Sequence, residues 1–400
     1  MNIVEGKDGA APWFDLQGAL ARPGPQMFFA LAALYGAAVL LVWIAVYRLH
    51  LAEPVPPVMW HAHEMVYGFA AAVAAGFVCG VVPAWSYAPA LSGRRIGALV
   101  AVWLIGRIVM AANYALPPWL AAVADLAFIP ALAAVVVVPA MRDRALRNLA
   151  LLAWLAVVWL GDLAMHADAF GFAGDFAERG ARVGVDAYLL LIAIVGGAAI
   201  PALTNRAFQD AGSRATALTL PWLDGLAVAS IAVYLVCDGF GWVGVPTAAA
   251  ALAAALLNGA RLVLWRGYRF PHAPDIWILH CLYLWMVLGL LIEAGTPIFG
   301  AVADMAAIHV LTAGAIGTAS IALISWAHYA RSGHAGFADR FTVAAYGLVT
   351  LAAVLRVAAL LVPGGFARLV IASGIVWVLA FVALLIACLS GLAVPRRSVS

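Results

Sequence analysis

The densest concentration of chemistry-bearing side chains is the run Met59-Trp60-His61-Ala62-His63-Glu64-Met65-Val66-Tyr67-Gly68-Phe69. Imidazole ligates iron, copper and zinc alike, and a neighbouring carboxylate can ligate or manage protons, so the run points to a metal or haem site without choosing the metal. On a helix turning about 100° per residue, Glu64 falls near the His61 side, whereas His63 points almost the opposite way, in line with Tyr67. Two ligands to one ion from one rigid helix are more naturally three or four residues apart. The two histidines therefore serve different neighbours, and if both bind metal they imply two centres, or one haem with a nearby copper. Gly68, Ala72, Gly76 and Gly80 follow at four-residue spacing, a smooth stripe against which a helix or a flat macrocycle can lie closely.

The element that must carry this run is a membrane helix. Of the 400 residues, 66% are hydrophobic and 10% charged, and the mean hydropathy is +1.03, values that no soluble domain carries without a large exposed apolar surface. A span needs roughly 20 mostly apolar residues. Twelve segments qualify, at 27–47, 58–82, 96–115, 118–140, 147–168, 183–203, 221–239, 244–265, 276–295, 302–327, 341–362 and 367–391. The expected fold is an all-α integral membrane protein with about twelve helices in a single bundle. It comprises a segment 1–26, a membrane domain 27–392 and a tail 393–400. No removable signal peptide precedes the first span, and Gly196-Gly197 with Pro201 should loosen or kink the sixth.

Lysine and arginine collect in cytoplasmic loops. Fifteen of the 22, among them Arg94, Arg95, Arg142, Arg144, Arg147, Arg396 and Arg397, fall in one set of segments. Four, Arg48, Arg179, Arg182 and Arg368, fall in the alternate loops, and Arg107, Arg261 and Arg356 lie within spans. The bias predicts an inner-membrane protein with both termini cytoplasmic. His61, His63, Glu64, Arg107, Asp125, Asp162, His166, Asp186, Glu293, Asp304, His309 and Arg356 then belong to the outer half. Asp224, Arg261, His280 and His328, with His272 and His334 in loops, belong to the inner half. Ionisable side chains inside spans usually face a site or each other, which places the chemistry in the outer half. His63 or His61 with His309, and His166 close by, should build it, and Met305 offers a soft sulfur. Arg107 and Arg356 can neutralise haem propionates or pair with Asp125, Asp162 or Asp186. Cys79, Cys237, Cys281 and Cys388 show no Cys-x-x-Cys-His attachment motif, so any haem is of the b type.

The Trp60-His61-Ala62-His63-Glu64-Met65 run with Gly68-Phe69 resembles the signature of NnrS proteins. Further landmarks agree in order: Trp103-Leu104-Ile105-Gly106-Arg107, Asp125-Leu126-Ala127-Phe128 with Pro130, and Arg147-Asn148-Leu149 followed by His166. Gly196-Gly197 with Ile200-Pro201, Leu279-His280 with Tyr283-Leu284-Trp285, His309 with Gly314-Ala315-Ile316-Gly317-Thr318, and Gly333-His334-Ala335-Gly336 continue the set. The resemblance implies a twelve-span membrane protein that carries haem and copper and acts in the response to nitric oxide or nitrosative stress. Its site inference lands on His61, His63, Glu64, His166, His280, His309 and His334. Two departures are Ala198, where the family carries a basic residue, and the region around His328-Tyr329. His280 and His334 lie near the opposite face, either as a second inner site with His328 or as packing and loop residues.

The expected partners are the lipid bilayer and nitric oxide or a related small ligand, with no nucleic acid. The competing expectation is a proton- or metal-coupled secondary transporter that uses intramembrane His and Asp.

Overall fold

The computed structural model describes residues 16–49, 57–143, 146–172, 174–270, 272–332 and 339–392, and among them every regular element is helical. Eleven helices among the described residues are long and apolar enough to cross a bilayer. The twelfth, Gly93–Ala111, carries Arg94, Arg95 and Arg107 within its 19 residues. The chain is an all-α polytopic membrane protein, with its helices where the apolar segments lie. Lys7, His50, His334 and the tail 393–400 lie outside the described residues.

Consecutive spans are joined by short links and reverse direction. Spans two, four, six, eight, ten and twelve therefore begin at one end of the bundle, called the upper end below. Span two (Pro57–Trp85) forms the centre, with 94% of its most apolar stretch buried, against 67% for span ten (Ala301–Arg331) and 56% for span six (Phe176–Asp210). Its small-residue stripe makes this possible. A Cβ on Gly76 would sit 2.6 Å from the Phe29 ring of span one, and one on Gly80 would sit 2.9 Å from the Ala19 carbonyl. The stripe is thus filled by helix packing. Ala19 and Leu20 belong to a short helix, Leu16–Leu20, that packs on the bundle within the segment expected to lie outside it.

The π-helical turns lie in other spans than the one with the Gly-Gly-Pro sequence. Span six runs as one 35-residue α-helix through Gly196, Gly197 and Pro201. Gly197 instead makes room for the Arg261 guanidinium, which occupies the place of its missing side chain. The helix also starts earlier than its apolar stretch. Asp175 with Arg179 and Glu178 with Arg182 form i,i+4 pairs that support the polar first turns. Two π-helical turns interrupt spans two and ten, at Glu64–Ala70 and Val310–Ile316. Each begins directly after a histidine, His63 or His309, and each holds a glycine, Gly68 or Gly314, five positions beyond it. Such turns insert a residue into the α-helical ladder and concentrate at functional sites.

Span four breaks at Ala127, between Pro118–Leu126 and Phe128–Asp143. Pro130 has no N–H to offer the Leu126 carbonyl, and the Trp159 indole donates to that carbonyl instead, at 3.0 Å.

Candidate metal centre

Five spans bring polar side chains together at the upper end. His63 (span two), Asp125 (span four), and Asp162 and His166 (span five) are all buried, and one ligand atom from each lies within 4.8 Å of the others. The four could hold a metal ion. His63 Nε2 lies 2.8 Å from Asp125 Oδ2 and 3.1 Å from Asp162 Oδ1, and His166 Nε2 lies 2.9 Å from the same Asp125 oxygen. Glu64 stands behind this group: its Oε1 is 2.9 Å from His63 Nδ1 and fixes the ring from the far side. Arg107 of span three donates Nη1 to both Glu64 oxygens at 2.8 Å and Nη2 to Asp125 Oδ1. The Tyr35 hydroxyl of span one closes the network by donating to Glu64 Oε2. A Cβ on Gly68 would lie 2.9 Å from Arg107 Nη1, so the glycine lets this arginine reach the centre.

Three buried carboxylates, Glu64, Asp125 and Asp162, face a single guanidinium, Arg107, in a site closed to water. The excess of acids is met by protons held within the network or by a bound cation. Two imidazoles and two carboxylates suit a borderline or hard divalent ion better than copper(I), which prefers sulfur.

A second group adjoins the first on the other side of span two. His61 packs its ring on Trp43, with centroids 4.7 Å apart, and its buried Nδ1 has no hydrogen-bond partner. His309 of span ten donates Nδ1 to the Met305 carbonyl at 2.7 Å, which leaves Nε2 for another partner. Arg356 of span eleven lies within electrostatic range of both rings and over the Phe366 ring at 5.7 Å. No carboxylate pairs with it among the described residues, and its buried Nη1 has no acceptor. Arg107 and Arg356, alike in the sequence, are thus opposite in setting: the first is taken by carboxylates and the second is not.

The NnrS protein family model matches residues 19–396, nearly the whole chain. The chain belongs to the NnrS family. No individually curated protein matches it.

In this NnrS-family chain the remaining sequence candidates lie apart. His280 donates Nδ1 to the Ile276 carbonyl at 3.1 Å, its ring packs where a side chain on Gly267 would be, and its Nε2 has no partner. Among the described residues it joins no group of three or more metal-ligating side chains. Below the middle of the bundle Arg261 pairs with Asp224 at 2.8 Å and donates to the Tyr283 hydroxyl at 2.7 Å and the Ala193 carbonyl at 3.1 Å. Asp304 pairs with Arg182 at 2.7 Å beside a cavity of about 480 Å³ that is also lined by Asp238 and Glu293. Sequence reasoning did not foresee Tyr35 as part of the network, nor Asp125 as its bridging carboxylate. An Asp on the span-four landmark was the available signal for the second; for Tyr35 there was none.

Proposed function

We propose that this NnrS-family protein binds a divalent metal ion, copper in the reading the family implies, and a b-type haem at its upper end, and handles nitric oxide there. The buried His63–Asp125–Asp162–His166 group, with one ligand atom from each side chain within 4.8 Å of the others, is the observation that carries the reading. The metal would sit among those four side chains. Glu64 serves as the carboxylate that orients the His63 ring, rather than as a ligand. His61 and His309 supply the imidazoles for a haem held without covalent attachment, and Arg356, with no acid of its own, is the partner for a propionate. Arg107 is left out of that clamp because Glu64 and Asp125 already hold it.

When bound, haem and copper supply a site for a neutral diatomic ligand and for electron transfer. The protein residues would exclude water, and Glu64, held outside the ligand set, would carry a proton beside it. Both termini in the cytoplasm, within an inner membrane, complete the proposal and would put the centre in the outer half.

The purified protein should show a Soret band and a stoichiometric transition metal, and nitric oxide should shift the band. A folded preparation with neither haem nor metal would overturn the reading. A proton- or metal-coupled transporter is the second reading, favoured by the acidic cavity at Asp238, Glu293 and Asp304 with buried Asp186 in electrostatic reach of the first two. Ion flux in proteoliposomes from protein without haem would support it.

A further inference from the structure

Below the two histidine groups lies a second pocket, of about 140 Å³ and half open at the bundle surface, built by Leu20 of the short N-terminal helix and by spans two, six, nine and ten. Ala70, Ala74, Ile192, Leu282, Ile316 and Ala319 are among the residues that line it. Its place in the fold is specific. Ala70 is the last residue of the π turn that follows His63, and Ile316 is the last residue of the one that follows His309. Seven residues of helix separate each histidine from the cavity wall, about 10 Å along the axis. Both irregular turns therefore run from a histidine to this space.

The lining decides what can enter. Tyr188 donates its hydroxyl to the Val66 carbonyl at 3.2 Å, and Ser320 donates to the Ile316 carbonyl at 2.8 Å, so neither hydroxyl needs a partner from the cavity. The Trp326 indole N–H is the one buried lining group without an acceptor among the described residues. A water molecule needs two to four polar partners, which this lining does not offer. An ion or a polar solute would lose its hydration without replacement.

We infer that this cavity is a binding site for a small uncharged apolar molecule, of the diatomic-gas class, that holds the ligand beneath the upper-end centre. For the identity of the gas, nitric oxide, the inference rests on the function proposed above; for the existence of the site it does not.

Xenon is the probe. Crystals or particles of the full-length protein equilibrated under xenon pressure should show the atom between Ala74, Ile192 and Ala319. Ala319→Phe should remove it without changing metal content or thermal stability. Ala199→Leu, which fills the same space from span six, serves if the first variant does not fold. Absence of xenon, or a lipid acyl chain occupying the cavity of the purified protein, would overturn the inference. Xenon binding in a protein that does not respond to nitric oxide would keep the site and remove the gas assignment. A nitric oxide response without xenon binding would keep the proposed function and overturn the cavity site.

Discussion

Glu64 shows how closely chemistry and spacing are tied at the level of single residues. A regular helix places it on the His61 side, yet it contacts His63, Arg107 and Tyr35. The 100° step holds only for an α-helix, and Glu64 opens a π turn whose wider winding redirects its side chains. The separation of His61 from His63 was legible because both precede that turn. The meeting of His63 with Asp125, Asp162 and His166 was legible only as similar depth, since sequence does not say which spans are neighbours. The buried acids and imidazoles give a prediction at this scale. A divalent ion competes with protons for these side chains, so its binding should release protons and its affinity should fall as pH falls. Calorimetry in buffers of different ionisation enthalpy reads the number directly. Zero protons released would mean that the ion binds elsewhere.

The span boundaries were readable from hydropathy because a run of apolar residues has no other place to go in this fold. Hydropathy alone makes span six too short, since its first turns are held by ion pairs rather than by apolarity. The glycine pair in that span separates into two roles. A Cβ on Gly197 would displace the buried Arg261 guanidinium and leave Asp224 without its partner, whereas one on Gly196 meets its nearest atom, on Ile200, at 3.4 Å, an ordinary contact. Gly197→Ala should therefore cost about 3 kcal/mol or more, and Gly196→Ala should be neutral or stabilising by up to about 1 kcal/mol. Thermal unfolding in detergent separates them, and equal losses would contradict the assignment.

Span eleven is capped by Asp339, outside the membrane segment, whose Oδ1 accepts from the backbone N–H groups of Phe341 and Thr342 at 2.7 and 3.2 Å. Partial burial pushes its carboxyl up, but hydrogen bonds from Tyr329, Phe341 and Thr342 outweigh this and hold it below the usual carboxylate range. A lowered carboxyl contributes stability above its unfolded value, near 4, and loses it as pH falls through the folded value below that. Asp339→Ala should cost about 1 kcal/mol at neutral pH, a deficit that closes in acid, and Asp339→Asn should cost less. Melting temperatures at pH 7 and pH 3 test the sign.

For the molecule as a whole, the distribution of basic residues and the clustering of chemistry at one end make a single statement about sidedness. With fifteen Lys and Arg on one side and four on the other, cysteines introduced in the terminal segments should be inaccessible to a membrane-impermeant thiol reagent applied from outside, and a cysteine introduced at Val243 should react. Reversed labelling would place the centre on the cytoplasmic side. The central claim, that two distinct centres flank span two, stands on His61 and His63 facing different partners, Trp43 for one and Asp125 with Asp162 for the other. Haem and metal content per mole of protein, measured together in the unsubstituted chain, His61→Ala and His63→Ala, tests it most directly. The account predicts that His61→Ala loses the Soret band and keeps the metal ion, and that His63→Ala loses the ion and keeps the band. Loss of the same cofactor, to the same extent, in both folded variants would contradict it.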